Sequence, residues 1–72
     1  MDTEQLSIDK QALKIKAKLF RGFADPSRLM LIEILRNEKK SVGELVEITG
    51  LSQPNVSNHL RCLADCDLVK RE

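Results

Sequence analysis

Cys62 and Cys66 lie four residues apart, a spacing that on a helix puts two thiols on one face. Two thiolates so placed can share one thiophilic ion, with Zn–S bonds near ~2.3 Å and somewhat longer ones to cadmium or lead. The competing reading is packing, because a free cysteine is also a small hydrophobe. An intrahelical disulfide is disfavoured wherever thiols are kept reduced. Just upstream, Gln53, Asn55, Ser57, Asn58, His59 and Arg61 crowd one short stretch. Amides, a hydroxyl and an arginine are the groups that pair with base edges and phosphates in a DNA major groove. No Asp or Glu intervenes before Asp65 to repel phosphate. The alternative is an ordinary polar helix surface. With one histidine, no phosphate-binding glycine loop and no paired-carboxylate cleft, no catalytic set can be assembled. The sequence predicts a non-enzyme.

These residues need a helix beneath them, and the apolar spacing supplies one. Val56, Leu60 and Leu63 fall within roughly 60° of one another at helical periodicity, which predicts a helix over Gln53–Asp65. Ser52 is its N-cap and Pro54 sits in its first turn. Before it, Ser41-Val42-Gly43-Glu44 matches a capping box. Leu45, Val46 and Ile48 give that helix a buried face, and Gly50 suits its left-handed end. Only Leu51 separates Gly50 from Ser52, so two short helices meet at a tight turn, the helix-turn-helix arrangement.

Further upstream, Asp25 is a good N-cap and Pro26 suits the first helical position. Leu29, Met30, Leu31, Ile32, Ile34 and Leu35 surround the helix that follows, which predicts a central one. Asn37 to Lys40 reads as a polar connection. A first helix is expected from Asp9 to Phe23. Its apolar residues Ala12, Leu13, Ile15, Ala17, Leu19, Phe20 and Phe23 cover an arc of roughly 200°, interrupted by Lys16. So wide an arc predicts contact with both the domain's own core and a second subunit. Lys10, Lys14, Lys18 and Arg21 form the opposite side, read first as a solvated face and second as a DNA or partner surface. Residues 1–8 are polar and are expected to be frayed and flexible, leaving 9–72 as one helix-turn-helix domain.

Composition narrows the classes. Seventy-two residues make one small domain at most. A net charge of +1 does not advertise nucleic acid, so DNA binding would rest on local placement of charge. Phe20 and Phe23 are the only aromatics, which argues against the stacking platforms of single-strand binders. Two cysteines cannot build a disulfide scaffold. No apolar run approaches the ~20 residues of a membrane span. The acidic start Met1-Asp2-Thr3-Glu4 leads into no secretory h-region. A cytoplasmic protein with reduced thiols and no membrane contact is expected.

Two blocks carry a family resemblance: Phe23-Ala24-Asp25-Pro26-Ser27-Arg28-Leu29, and Leu51-Ser52-Gln53-Pro54-Asn55-Val56-Ser57-Asn58-His59-Leu60. From about Leu19 to Val69 the sequence resembles the ArsR/SmtB repressors, homodimeric winged helix-turn-helix proteins that mostly sense metals. The resemblance implies a mainly α fold of four helices with at most the first wing strand, Leu68 to Glu72, and a double-stranded DNA operator as partner. It places Gln53, Ser57 and His59 at DNA, with Asn55, Asn58 and Arg61 as weaker additions, which leaves little room for His59 as a metal ligand. The family continues into a β-hairpin wing and a C-terminal dimerisation helix, so this chain reads as a truncated form or fragment. The cysteine cluster that relatives often carry in the third helix is missing from Ser41 to Thr49. Cys62 and Cys66 are similar instead to the cadmium- and lead-sensing CmtR branch, whose third cysteine comes from the C-terminal tail. The resemblance thus implies a repressor released from its operator by cadmium, lead or zinc at Cys62 and Cys66. Two alternatives stay open: a DNA-binding regulator whose cysteines are structural, and a protein–protein module built on the helix-turn-helix corner.

Overall fold

A computed structural model describes residues 4–16 and 25–71 of the chain. In order, the elements are β1 (Leu6–Ile8), α1 (Lys10–Lys16), α2 (Pro26–Asn37), α3 (Val42–Thr49), α4 (Gln53–Asp65) and β2 (Val69–Arg71). The mainly helical architecture and the strand after α4 are those expected from the sequence.

Each helix begins where a side chain can take up its orphan N–H groups. Asp9 accepts from the Ala12 N–H at 3.0 Å. Asp25 caps α2, accepting from Ser27 at 2.9 Å and Arg28 at 3.3 Å, with Pro26 at the first helical position. Ser41 and Glu44 close a reciprocal capping box: Glu44 N–H donates to Ser41 Oγ at 3.2 Å, and Ser41 N–H donates to Glu44 Oε1 at 2.9 Å. The backbone donor at Ser41 holds the Glu44 carboxyl below its ordinary value, with help from the Ser41 hydroxyl. The same happens to Asp25, chiefly through the Arg28 N–H. Ser52 Oγ accepts from Asn55 at 3.2 Å and starts α4.

The turn between α3 and α4 is fixed by chemistry at two residues. Gly50 sits at φ 75°, the left-handed region, and its N–H donates to Val46 O. Thr49 Oγ1 donates to Leu45 O at 2.7 Å and accepts from Leu51 N–H at 3.2 Å, tying the turn to the helix it leaves. A Cβ at Gly50 would meet nothing within 4 Å, so only the backbone conformation resists substitution. Gly50→Ala is expected to destabilise the fold by about 1–2 kcal/mol. Gly43→Ala, where the new Cβ would lie 3.9 Å from Ser41 Oγ in ordinary contact, should be neutral or stabilise α3 by up to about 1 kcal/mol. Urea midpoints of the two variants check the contrast. Equal losses would mean that the left-handed conformation is not what selects glycine at position 50.

Leu6–Ile8 correct the reading of residues 1–8 as frayed and flexible. They form β1, antiparallel to β2 with Leu6 opposite Arg71, Ser7 opposite Lys70 and Ile8 opposite Val69. Leu6 also exchanges both backbone hydrogen bonds with Lys40, at 2.9 and 3.0 Å, so the β1 backbone is satisfied on two sides at that point. Leu6 and Ile8 are buried and Ser7 is half-buried, the two-residue alternation of a strand with one face in a core. Arg71 Nε lies 3.5 Å from Glu4 Oε1 across the pair, an exposed contact that adds little stability.

The core gathers Leu6 and Ile8 from β1, Leu31, Ile32 and Leu35 from α2, Leu45 from α3, Val56, Leu60 and Leu63 from α4, then Leu68 and Val69. The expectation of an all-round buried α2 does not hold among the described residues. Its buried face is Leu31, Ile32 and Leu35, while Leu29 and Met30 are 43% and 39% exposed. At 100° per residue Met30 points roughly 100° or more away from all three, whereas Leu29 lies only about 60° from Ile32 and is exposed nonetheless. In α1, Ala12 and Leu13 pack half-buried against the core. Ala17, Lys18, Leu19, Phe20, Arg21 and Phe23, which complete the expected apolar arc and basic face, lie outside the described residues.

Candidate nucleic-acid interface and thiol pair

Helix α4 is anchored by Val56, Leu60 and Leu63, all buried, at the i, i+4, i+7 spacing of a single stripe. That anchoring fixes what the rest of the helix presents. Gln53, Asn55, Asn58 and Arg61 are exposed, and Ser57 and His59 are half-buried. Gln53, Ser57 and Arg61 follow one another at intervals of four, so they line one ridge beside the buried stripe. Asn58 and Cys62 share a second ridge opposite the core. Asn55 and His59 lie on the far flank. The six polar candidates therefore wrap around the helix rather than forming one strip, with the Gln53–Ser57–Arg61 ridge on one side and His59 on the other.

The ridge borders a cleft. Glu4, Leu6, Val42, Ser57, Leu60, Arg61, Ala64, Asp65, Val69 and Arg71 line an open depression of about 630 Å³ between α4, the start of α3 and the sheet. Its two arginines face two carboxylates, so it is not a concentrated anion site. The fold brings Arg71 to the same cleft as Arg61, a neighbour whose one local signal in the sequence is the basic pair Lys70-Arg71.

His59 is tied to the opposite side of the domain. Arg28 Nε donates to His59 Nδ1 at 3.4 Å, bridging the first turn of α2 and the middle of α4. In the sequence Arg28 belongs to the helix-start motif Asp25-Pro26-Ser27-Arg28. Nothing in local spacing links it to a residue 31 positions away.

Neither cysteine forms a disulfide among the described residues; Cys62 is exposed and Cys66 half-buried. Cys66 is the C-cap of α4 and packs against the core. The chain then turns through Asp67 at φ 61°. Asp67 N–H donates to Ala64 O at 2.9 Å and Leu68 N–H to Leu63 O at 2.9 Å, the paired bonds that close a helix C-terminus and send the chain into β2. The two cysteines stand four apart at the end of α4, with Cys62 turned to solvent and Cys66 packed against the core. Among the described residues no group of three or more His, Cys, Asp or Glu side chains could complete a metal shell.

Among the described residues, four helices around one core, a tight α3–α4 turn and a short sheet whose second strand follows α4 define a winged helix-turn-helix domain. Residues 25–71 match the family model described as "Bacterial regulatory protein, arsR family". The chain belongs to the arsR family of bacterial regulatory proteins, which are transcriptional regulators and not enzymes. It is 47% identical over 53 residues to a probable mercury resistance operon repressor of Streptomyces lividans, covering 74% of this chain and 42% of that protein. It is 43% identical over 53 residues to the transcriptional regulator CmtR of Mycobacterium bovis, covering 74% and 45%. It is 40% identical over 62 residues to the transcriptional regulator NmtR of Mycobacterium tuberculosis, covering 86% and 52%. The chain thus spans about half the length of these relatives. No solved structure matches it. Among the described residues no helix is long and apolar enough to cross a membrane.

Proposed function

We propose that this chain is the DNA-reading part of a cytoplasmic transcriptional repressor, homodimeric as a whole protein, released from its operator by a thiophilic metal ion. The observation that carries the DNA reading is α4 itself. Its buried stripe holds the helix on the domain, and its first three turns present amides, a hydroxyl and an arginine with no carboxylate among them. Gln53 and Ser57 are the base-reading candidates, with Asn55, Asn58 and His59 on the other ridges. Arg61 has the reach and charge of a phosphate contact. The names of relatives as repressors and regulators support the same reading.

For the metal step, Cys62 and Cys66 would hold the ion as two thiolates, with at least one further donor from outside the described residues. When bound, such an ion supplies charge and a fixed thiolate geometry at the end of α4. The half-burial of Cys66 against the core favours, as a second reading, a regulator of the same fold whose cysteines pack and sense nothing.

Gln53→Ala or Ser57→Ala is expected to lower affinity for the specific operator by roughly 1–3 kcal/mol while leaving folding intact, since both side chains lie outside the core. Arg61→Ala should weaken binding to all duplexes alike and reduce the salt slope by about 0.9. Titrations of the whole protein on operator and random duplexes at several salt concentrations separate these outcomes. Equal losses on both duplexes for Gln53→Ala would overturn base reading at that residue. Absence of any salt-dependent duplex binding would leave the corner as a protein-binding module.

A further inference from the structure

The contact between Arg28 and His59 has a chemical consequence for what His59 can offer. A guanidinium carries only N–H donors, so the ring nitrogen that receives Arg28 Nε at 3.4 Å must be an acceptor. In a neutral imidazole with an unprotonated Nδ1, the proton is on Nε2. That N–H is then the remaining polar group of the ring, on a side chain that is half-buried rather than enclosed. We propose that Arg28 is a positioning residue that orients His59 and fixes it as an Nε2–H donor, so that His59 meets an acceptor atom on duplex DNA. The inference rests on the reading of α4 as the DNA-facing helix.

Three features hold Arg28 in place for this role. Its own backbone N–H donates to Asp25 Oδ1 at 3.3 Å, and the neighbouring Ser27 N–H donates to the same oxygen at 2.9 Å. Pro26 fixes the backbone between the cap and Arg28. The Asp25 carboxylate is held below its ordinary value first by the Arg28 N–H, against the effect of burial, with the Ser27 N–H adding to the lowering, so the cap and Arg28 form one tightly bonded turn. A rigid cap on α2 therefore reaches across to set one ring on α4. A donor at Nε2 would suit a phosphate oxygen or a purine N7 or O6, and would be refused by the exocyclic amino groups of adenine and cytosine.

The test uses the whole protein with Arg28→Met, which removes the donors, Arg28→Gln, which keeps an N–H donor, and His59→Ala. Arg28→Met is expected to lower duplex affinity about tenfold, and the Arg28→Met/His59→Ala double variant should lose no more than His59→Ala alone. Arg28→Gln should recover part of the loss. In nitrogen-15 spectra of the neutral ring, Arg28→Met should move the Nδ1 signal and raise the share of the Nδ1–H form. If Arg28 instead contacts phosphate directly, its loss will multiply with that of His59→Ala and the salt slope will fall by about 0.9 in either background, which overturns the proposal. An Nδ1 signal unmoved by Arg28→Met in a folded protein overturns it as well. Failure of the underlying reading looks different. Gln53→Ala and His59→Ala would both leave DNA affinity unchanged, while the ring nitrogens still responded to Arg28→Met.

Discussion

Leu45→Ala is expected to cost about 2–5 kcal/mol, the usual range for emptying a fully buried leucine site. Leu45 is 0% exposed and is the one buried residue of α3. Through it the first helix of the helix-turn-helix rests on the core that also holds α4. A domain of this size has a total stability of only about 4–11 kcal/mol at typical values per residue, so the substitution removes between about a fifth and all of it. Ile48 lies one turn along the same short helix and is 52% exposed. Ile48→Ala should therefore change stability by no more than about 0.5–1 kcal/mol. Urea denaturation of the two variants gives the comparison directly. DNA affinity supplies a second readout, because Leu45→Ala should weaken binding in proportion to the unfolded fraction and recover it under stabilising conditions. A small effect at Leu45, or equal effects at both positions, would show that α3 is not held by this contact.

The elements that were legible in the sequence are those whose ends are decided by local chemistry. Asp25-Pro26, Ser41 with Glu44, Gly50 and Ser52 each solve a problem of unpaired backbone groups within three or four residues. Such solutions can be read without the fold. The α4 stripe was legible for the same reason, since Val56, Leu60 and Leu63 define a face by spacing alone. Strand β1 was not. Leu6 and Ile8 sit among polar neighbours, and what makes them a strand is pairing with Lys40 and with Val69–Arg71, which are remote in sequence. Counting apolar residues also overstated the burial of α2. Leu29 and Met30 share the composition of Leu31 and Ile32 but are left exposed where those two are buried. At the candidate site, residue types and their placement on α4 could be read, but their division between ridges and the reach of Arg28 to His59 could not. That contact joins residues 31 apart in the chain and depends on the tertiary fold.

A soft divalent ion, cadmium or lead first, is expected to bind the whole protein through both Cys62 and Cys66. Bound cadmium should give a thiolate-to-metal ultraviolet band, and Cys62→Ser or Cys66→Ser should each remove most of it along with the affinity. A soft ion takes cysteine as the thiolate, so binding releases protons and affinity should fall as pH is lowered. The position of Cys66 says how binding would reach DNA. It caps α4 and begins the turn whose Asp67 and Leu68 N–H groups close the helix and lead into β2. Drawing the Cys66 thiolate out of its half-buried packing to meet Cys62 would strain that turn and shift β2 against α4. An effector moves an equilibrium only by its differential affinity for the two states, so the ion must bind the DNA-free protein more tightly, and operator DNA must weaken metal binding by the same factor. Cadmium titrations with and without operator duplex measure both sides of that linkage. If the whole protein shows no thiolate band at neutral pH, Cys62 and Cys66 are packing residues. If the band forms but operator DNA leaves the affinity unchanged, the ion binds without regulating.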